Sequence, residues 1–302
     1  MQERYINFFT DYGFKRLFGS ELNKDCLIDF LNGLFDGKEA PIVKLEYRNT
    51  EHLGGSELDR KAIFDLYCVT AEGTHFIVEL QKAKQQFFKH RALFYSTFPI
   101  QEQAQKGDWN FKLSKIYTVA ILDFVFEEDA STPEKYFYEV KLTEQETKTV
   151  FYDKLTFVYL EMPRFKKERH ELKTRQDRWL YAIKNLSRLE SVPEELRSEI
   201  FERFFQTAEI AKLKPQEKQN YEKSLKYYRD LNNVIDTAFI EGKTEGIEEG
   251  RAEGRVEGRA EGRAEGRDET LRKIAFSMKE QGFSLEMIVQ ATGMSLSDLQ
   301  DL

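Results

Sequence analysis

Residues 61–81 read KAIFDLYCVTAEGTHFIVELQ, two short apolar runs on either side of an Ala-Glu-Gly-Thr turn. Side chains alternate between faces along a strand, so a slip of one residue turns every side chain to the other face. A two-residue turn at Glu72-Gly73 pairs Asp65 with Leu80 and splits the apolar residues between faces. A three-residue loop, Ala71-Glu72-Gly73, pairs Thr70 with Thr74 and sets glycine third, where a left-handed residue is needed. It also gathers Phe64, Leu66, Cys68, Phe76, Val78 and Leu80 on one face. The pattern therefore predicts the three-residue hairpin.

That register places Asp65 opposite Glu79, with Gln81 next along on the same face. Strand interiors are poor places for acids. Directly opposed side chains have Cβ atoms roughly 4.5–5.5 Å apart, where two like charges repel. A divalent cation between them resolves the conflict, and hard oxygen ligands with room for water and phosphate suit Mg²⁺. Such an ion activates water and stabilises charge on a phosphate. An edge hairpin with two solvated acids is the other reading, and spacing alone leaves both open.

Up to about residue 240 the chain reads as α/β. Asp25–Phe35 carries apolar residues at helical spacing, and TDYGFKRLF starts a helix capped by Thr10 or Asp11. Ile42–Tyr47 alternates like a strand, and Gln85–Gln105 is a helical pattern kinked or broken near Pro99. The run IYTVAILDF, residues 116–124, suits a strand covered on both faces. Tyr136–Leu142 and Leu155–Met162 are further strands, and 168–231 is helical. The order is helix, three strands, helix, strand, then additions. With 25 Phe and 14 Tyr the chain has the means to build a core. Two cysteines, Cys26 and Cys68, and four histidines without zinc-ligand spacing imply neither a disulfide framework nor a zinc site. The N-terminal stretch lacks a signal-peptide pattern, and no apolar run reaches the ~18 residues of a membrane span. A cytoplasmic protein with no membrane partner is expected. The net charge of −7 gives no global nucleic-acid signal. Arg164–Arg178, however, holds seven basic and three acidic residues, which either contact phosphates or form a solvated helix face.

An acid on one strand, then Glu79-Leu80-Gln81 on the next, resembles the PD-(D/E)XK nuclease superfamily with Gln in place of Lys. Together with TDYGFKRLF, RALFYSTFPIQEQAQKGDWNFKLSKIYTVAILDF, KTRQDRWLYAIKN and FSLEMIVQATGMSLSDL, the pattern is similar to the Rpn family of recombination-promoting nucleases and transposases. The resemblance implies a restriction-endonuclease-like α/β core and a Mg²⁺-dependent DNA endonuclease linked to recombination or mobile DNA. By position it makes Asp65 and Glu79 the metal ligands and Gln81 the residue that orients water or meets the scissile phosphate. Asp11 becomes an outer ligand or a plain helix cap, and Lys15 a phosphate contact or a solvated lysine. Gln in place of Lys gives up a charge-assisted hydrogen bond, a difference of about 1 kcal/mol. It cannot act as a general base. A slow enzyme, an inactive DNA-binding or assembly module, and a toxin-like or phage-defence nuclease are the readings this leaves.

From Glu249, Glu, Gly, Arg and Ala or Val recur every four residues. On a helix these form slowly drifting stripes with like charges at i,i+4 and no opposite charges at i,i+3 or i,i+4. Glycine at every fourth position opposes the helix further. Alone the segment is expected to be marginal or disordered. Pairing with a second copy sets an Arg stripe against a Glu stripe, so it is either a charged linker or a homo-oligomerisation helix. The tail shows three short helical signals, and its last, with Asp298 and Asp301 and no basic residue, makes a poor DNA-recognition helix. The expected division is a nuclease-like domain over 1–235, the repeat over 236–268 and a small helical tail over 269–302.

Overall fold

The structure, a computed structural model, describes residues 3–52, 62–104, 110–126 and 132–300. It forms two compact units, Met1–Asn233 and Val234–Leu302.

The first unit opens with α1 (Asp11–Phe18), where the Thr10 hydroxyl accepts the Gly13 N–H at 2.9 Å. Thr10 is therefore the cap, and Asp11 is the first helical residue. After α2 (Lys24–Leu34) come β1 (Leu45–Tyr47), a short ribbon of β2 (Glu51–His52) and β3 (Ala62–Ile63), then β4 (Leu66–Thr70) and β5 (His75–Gln81). Helix α3 (Phe88–Glu102) runs on through Pro99 instead of breaking there. Strands β6 (Ile116–Leu122), β7 (Phe137–Thr143) and β8 (Val150–Glu161) complete a six-stranded sheet in the order β1-β4-β5-β6-β8-β7. Strand β6 runs parallel to both β5 and β8, and the other neighbours are antiparallel. Every residue of β6 is buried, as a central strand covered on both faces requires.

The alternation along β6 divides the core. Val119 and Ile121 join the larger cluster, with α1, α2, α4 (Arg175–Asn185) and α5 (Glu199–Ala208). Ala120 and Leu122 face Phe88 and Ala92 of α3. In the larger cluster the indole of Trp179 is fully buried among Phe18, Phe30, Phe201 and Phe204, at centroid distances of 4.6–6.1 Å. These rings fix α1 and α2 against the sheet face that carries Leu66, Cys68, Phe76 and Val78 of the hairpin.

Helix α6 (Pro215–Glu280) begins in the first unit, where the Tyr228 hydroxyl donates to Asp123 at 2.5 Å. The repeat, expected to be marginal or disordered alone, is helical as part of the continuous α6. Helix formation is cooperative with a costly nucleus. Here the helix already exists on a packed segment before the glycines begin, so the repeat only propagates it. In the second unit, the end of α6 meets α7 (Leu285–Thr292) and α8 (Leu296–Gln300) around Ala275, Ile288 and Leu299. The Ser284 hydroxyl caps α7, as its sequence predicts.

Candidate active site

The β4–β5 hairpin has the register that the apolar pattern requires. Leu66 pairs with Val78 and Cys68 with Phe76, and the Thr70 N–H donates to the Thr74 carbonyl at 2.9 Å. Gly73 sits third in the loop with φ +82°. Continued one residue past β4, this register brings Asp65 to Glu79.

The contact is closer than a cross-strand pair. Asp65 lies at a bend before β4, and its Oδ2 accepts the Leu80 N–H at 2.8 Å. Its own N–H donates to Glu79 Oε1 at 3.2 Å, and Gln81 Nε2 donates to Glu79 Oε2 at 3.2 Å. The bend also corrects one expectation. Phe64 leaves the face of Leu66 and Cys68 and packs with Tyr67 and Ile77 on the α3 side. The side-chain bond to Leu80 N–H interrupts the regular ladder, and the alternation shifts with it.

The three residues line a cleft of about 320 Å³ together with Asp11, Lys82, Arg91, Tyr95, Tyr227 and Leu231. Burial, reinforced by the facing Asp65 charge, pushes the Glu79 carboxyl up to about 8. Burial also raises Asp65, against the opposing pull of the Leu80 N–H and the Lys15 charge. Two buried carboxyls that resist ionising side by side are relieved by a cation between them. Among the described residues no third His, Cys, Asp or Glu joins them as a ligand group. A two-carboxylate set fits an ion such as Mg²⁺, which keeps several waters and takes the remainder of its shell from substrate phosphate.

Of the residues singled out in the sequence, Asp65, Glu79, Gln81 and Asp11 meet in this cleft. Asp11 pairs with Lys82 Nζ at 2.7 Å. Lys15 is exposed and lines a neighbouring cavity with Tyr12, Arg16 and Lys223, touching the site only through its charge on Asp65. The basic strip runs from the end of β8 into the start of α4, and four of its basic residues have partners within the chain. Arg164 pairs with buried Glu161 at 3.1 Å, Lys167 with Asp177 at 2.7 Å and Arg175 with Asp29 at 3.5 Å. Arg169 donates to the Tyr181 hydroxyl at 3.1 Å. Each of these four has a partner within the chain.

Sequence reasoning passed over Lys82, Arg91, Tyr95, Tyr227 and Leu231. Lys82 follows Gln81 directly, so inspecting one more residue of β5's end finds it. Its side chain is nearly buried, held by Asp11 and over the Tyr227 ring at 5.3 Å. Arg91 stands over the rings of Phe88 and Tyr95 at 5.1 and 5.7 Å, donates to Gln85, and lowers the pKa of Glu79 by its charge. Its Nε is buried with no hydrogen-bond partner among the described residues.

A mixed sheet flanked by helices, with an acid pair at the end of its central hairpin, is the restriction-endonuclease-like α/β architecture of nucleases. A family model described as PD-(D/E)XK nuclease family transposase matches residues 8–238, and the chain belongs to that family. No curated protein and no solved structure gives a significant match to the chain. Among the described residues no helix is long and apolar enough to cross a membrane.

Proposed function

We propose that the chain is a Mg²⁺-dependent DNA endonuclease acting in recombination or on mobile DNA. The observation that carries this reading is the pair of buried Glu79 and half-buried Asp65, held in a cleft with cationic side chains on its walls. Asp65 and Glu79 hold the divalent cation, which supplies Lewis-acid polarisation of a phosphoryl oxygen and hydroxide near neutral pH. The Gln81 amide, already bonded to Glu79 Oε2, orients the attacking water. Gln81 brings no charge, and Lys82 is neutralised by Asp11. Arg91, on the cleft wall, takes the non-bridging phosphate oxygens and stabilises the charge that grows on them.

Self-association through α6 belongs to the same reading. The repeat helix is exposed along its length, and the space where a Cβ would stand on Gly250, Gly254, Gly258, Gly262 and Gly266 is open. A second copy approaching along that face gives the glycines a purpose that one chain alone does not.

Cleavage of supercoiled plasmid tests the reading. The wild type is expected to nick or linearise DNA in Mg²⁺ and to be silent in EDTA. Asp65→Ala and Glu79→Ala are expected to abolish cutting and to lose the rise in melting temperature that Mg²⁺ gives the wild type. Equal cutting by both variants would remove the site assignment.

A further inference from the structure

Beside the acid cleft, and sharing Gln85, Arg91 and Tyr95 with it, lies a second groove of about 570 Å³ over the start of α3. Its walls are aromatic: Phe87, Phe88, Phe94 and Tyr95, with His90 and Arg91 between them. Among the described residues no carboxylate lines it. Phe87 is 64 % exposed and Phe94 44 %. Phe87 also takes a left-handed backbone, φ +66° and ψ 22°, as the residue preceding α3. A bulky residue held there costs on the order of 1–3 kcal/mol. The strained residue is the one whose apolar ring stands most exposed in the groove. The ring is set edge-on to His90 at 5.5 Å, and Phe94 lies 6.3 Å from Tyr95. The first turn of α3 has no side-chain cap, so its N–H groups add positive potential beside the rings.

We infer that this groove binds an unpaired nucleotide adjoining the phosphate held in the acid cleft, so that the substrate is DNA with a single-stranded stretch at the cut. The inference rests on the nuclease reading of the cleft. Exposed aromatic rings interleaved with cations are how proteins hold unpaired bases, because every base has a π-face to stack. A base within a duplex is stacked between its neighbours and must leave the helix to enter a side groove. The charge selects the occupant: the Arg91 guanidinium, with no acid among the described lining residues, attracts a polyanion, and because it is shared it makes the groove continuous with the place where the phosphate backbone lies. Arg91 meets the phosphate between the two sites while its stem rests on Phe88 and Tyr95.

The test uses the full chain and fluorescence anisotropy with a labelled 20-nucleotide single strand and the duplex of the same sequence, in EDTA so that neither is cut. Phe87→Ala combined with Phe94→Ala is expected to weaken single-strand binding about tenfold or more and to leave duplex binding within about twofold. Phe87→Trp is expected to hold wild-type affinity, since the larger ring stacks as well. Equal loss on both DNAs, no loss on either, or a wild type that binds neither overturns the inference and leaves the groove to a protein partner or to none. Plasmid and single-strand cleavage in Mg²⁺ is read alongside. Wild type that binds single strands through these rings yet cuts nothing refutes the nuclease reading and leaves the groove. Wild type that cuts while the ring variants bind unchanged does the reverse.

Discussion

A carboxyl raised to about 8 by burial, as in Glu79, ties the stability of the fold to pH. The unfolded chain releases this proton near the ordinary carboxylate value, whereas the folded chain keeps it. The stabilisation is therefore complete below about pH 4.5 and is lost as pH rises toward 8, at up to about 1.4 kcal/mol per pH unit. Asp65, shifted the same way, adds to the trend. Denaturant melts in EDTA between pH 5 and 8 are expected to show falling stability, and Glu79→Gln to flatten the curve. A level wild-type curve speaks against a buried acid pair. Mg²⁺ acts oppositely, because it favours the ionised pair, so its binding is expected to tighten over the same interval with release of protons. At Gln81 the expectation is smaller. Gln81→Ala removes one hydrogen bond that orients water, about 1–2 kcal/mol, so turnover should fall roughly 5–30-fold with Mg²⁺ binding intact. A wild-type rate with both acids still essential moves the positioning of water to another group.

The hairpin was legible because each of its determinants is local. Alternation chose the register, and Gly73 at φ +82° closed the loop. Gly73→Ala forces a Cβ into that left-handed position and is expected to cost about 1–2 kcal/mol, read as a lower melting temperature. Inserting one residue between Glu72 and Gly73 slips the register, separates Asp65 from Glu79, and should remove the melting-temperature rise given by Mg²⁺. Persistence of that rise disconnects the site from the register. The bend at Asp65 was illegible for the opposite reason. It depends on a side-chain oxygen taking the Leu80 N–H, a choice that alternation does not encode. The same holds for Arg91 and Tyr227. Each lies on a helix whose sequence shows only helical spacing, and each reaches the cleft because tertiary packing brings that helix there. Two of the basic strip's acidic partners, Asp29 and Glu161, lie outside the segment, so its pairing was not visible in the local sequence.

At the scale of the whole molecule, the glycines of α6 set intrinsic helix stability against the proposed association. Each lowers the helix by about 1 kcal/mol relative to alanine, and the space beside each is open. Alanine at Gly254, Gly258 and Gly262 is expected to make the helix more resistant to heat and, by filling the line of close approach, to weaken self-association in sedimentation experiments. Unchanged association would place the contact elsewhere.

The N-terminal segment and α6 are joined across the length of the first unit. Tyr221 accepts the Asn7 N–H at 3.0 Å, Ile6 N–H donates to the Ala208 carbonyl at 2.9 Å, and Tyr227 and Leu231 wall the cleft that Asp65 and Glu79 floor. On a ribosome this sets an order of events. The acid-bearing hairpin emerges early, but the walls of its cleft follow about 150 residues later, roughly 8–30 s at ordinary rates of synthesis. Through that interval a nascent chain carries both acids without the chamber that contains them. The site is thus incomplete until the body of the protein has left the ribosome.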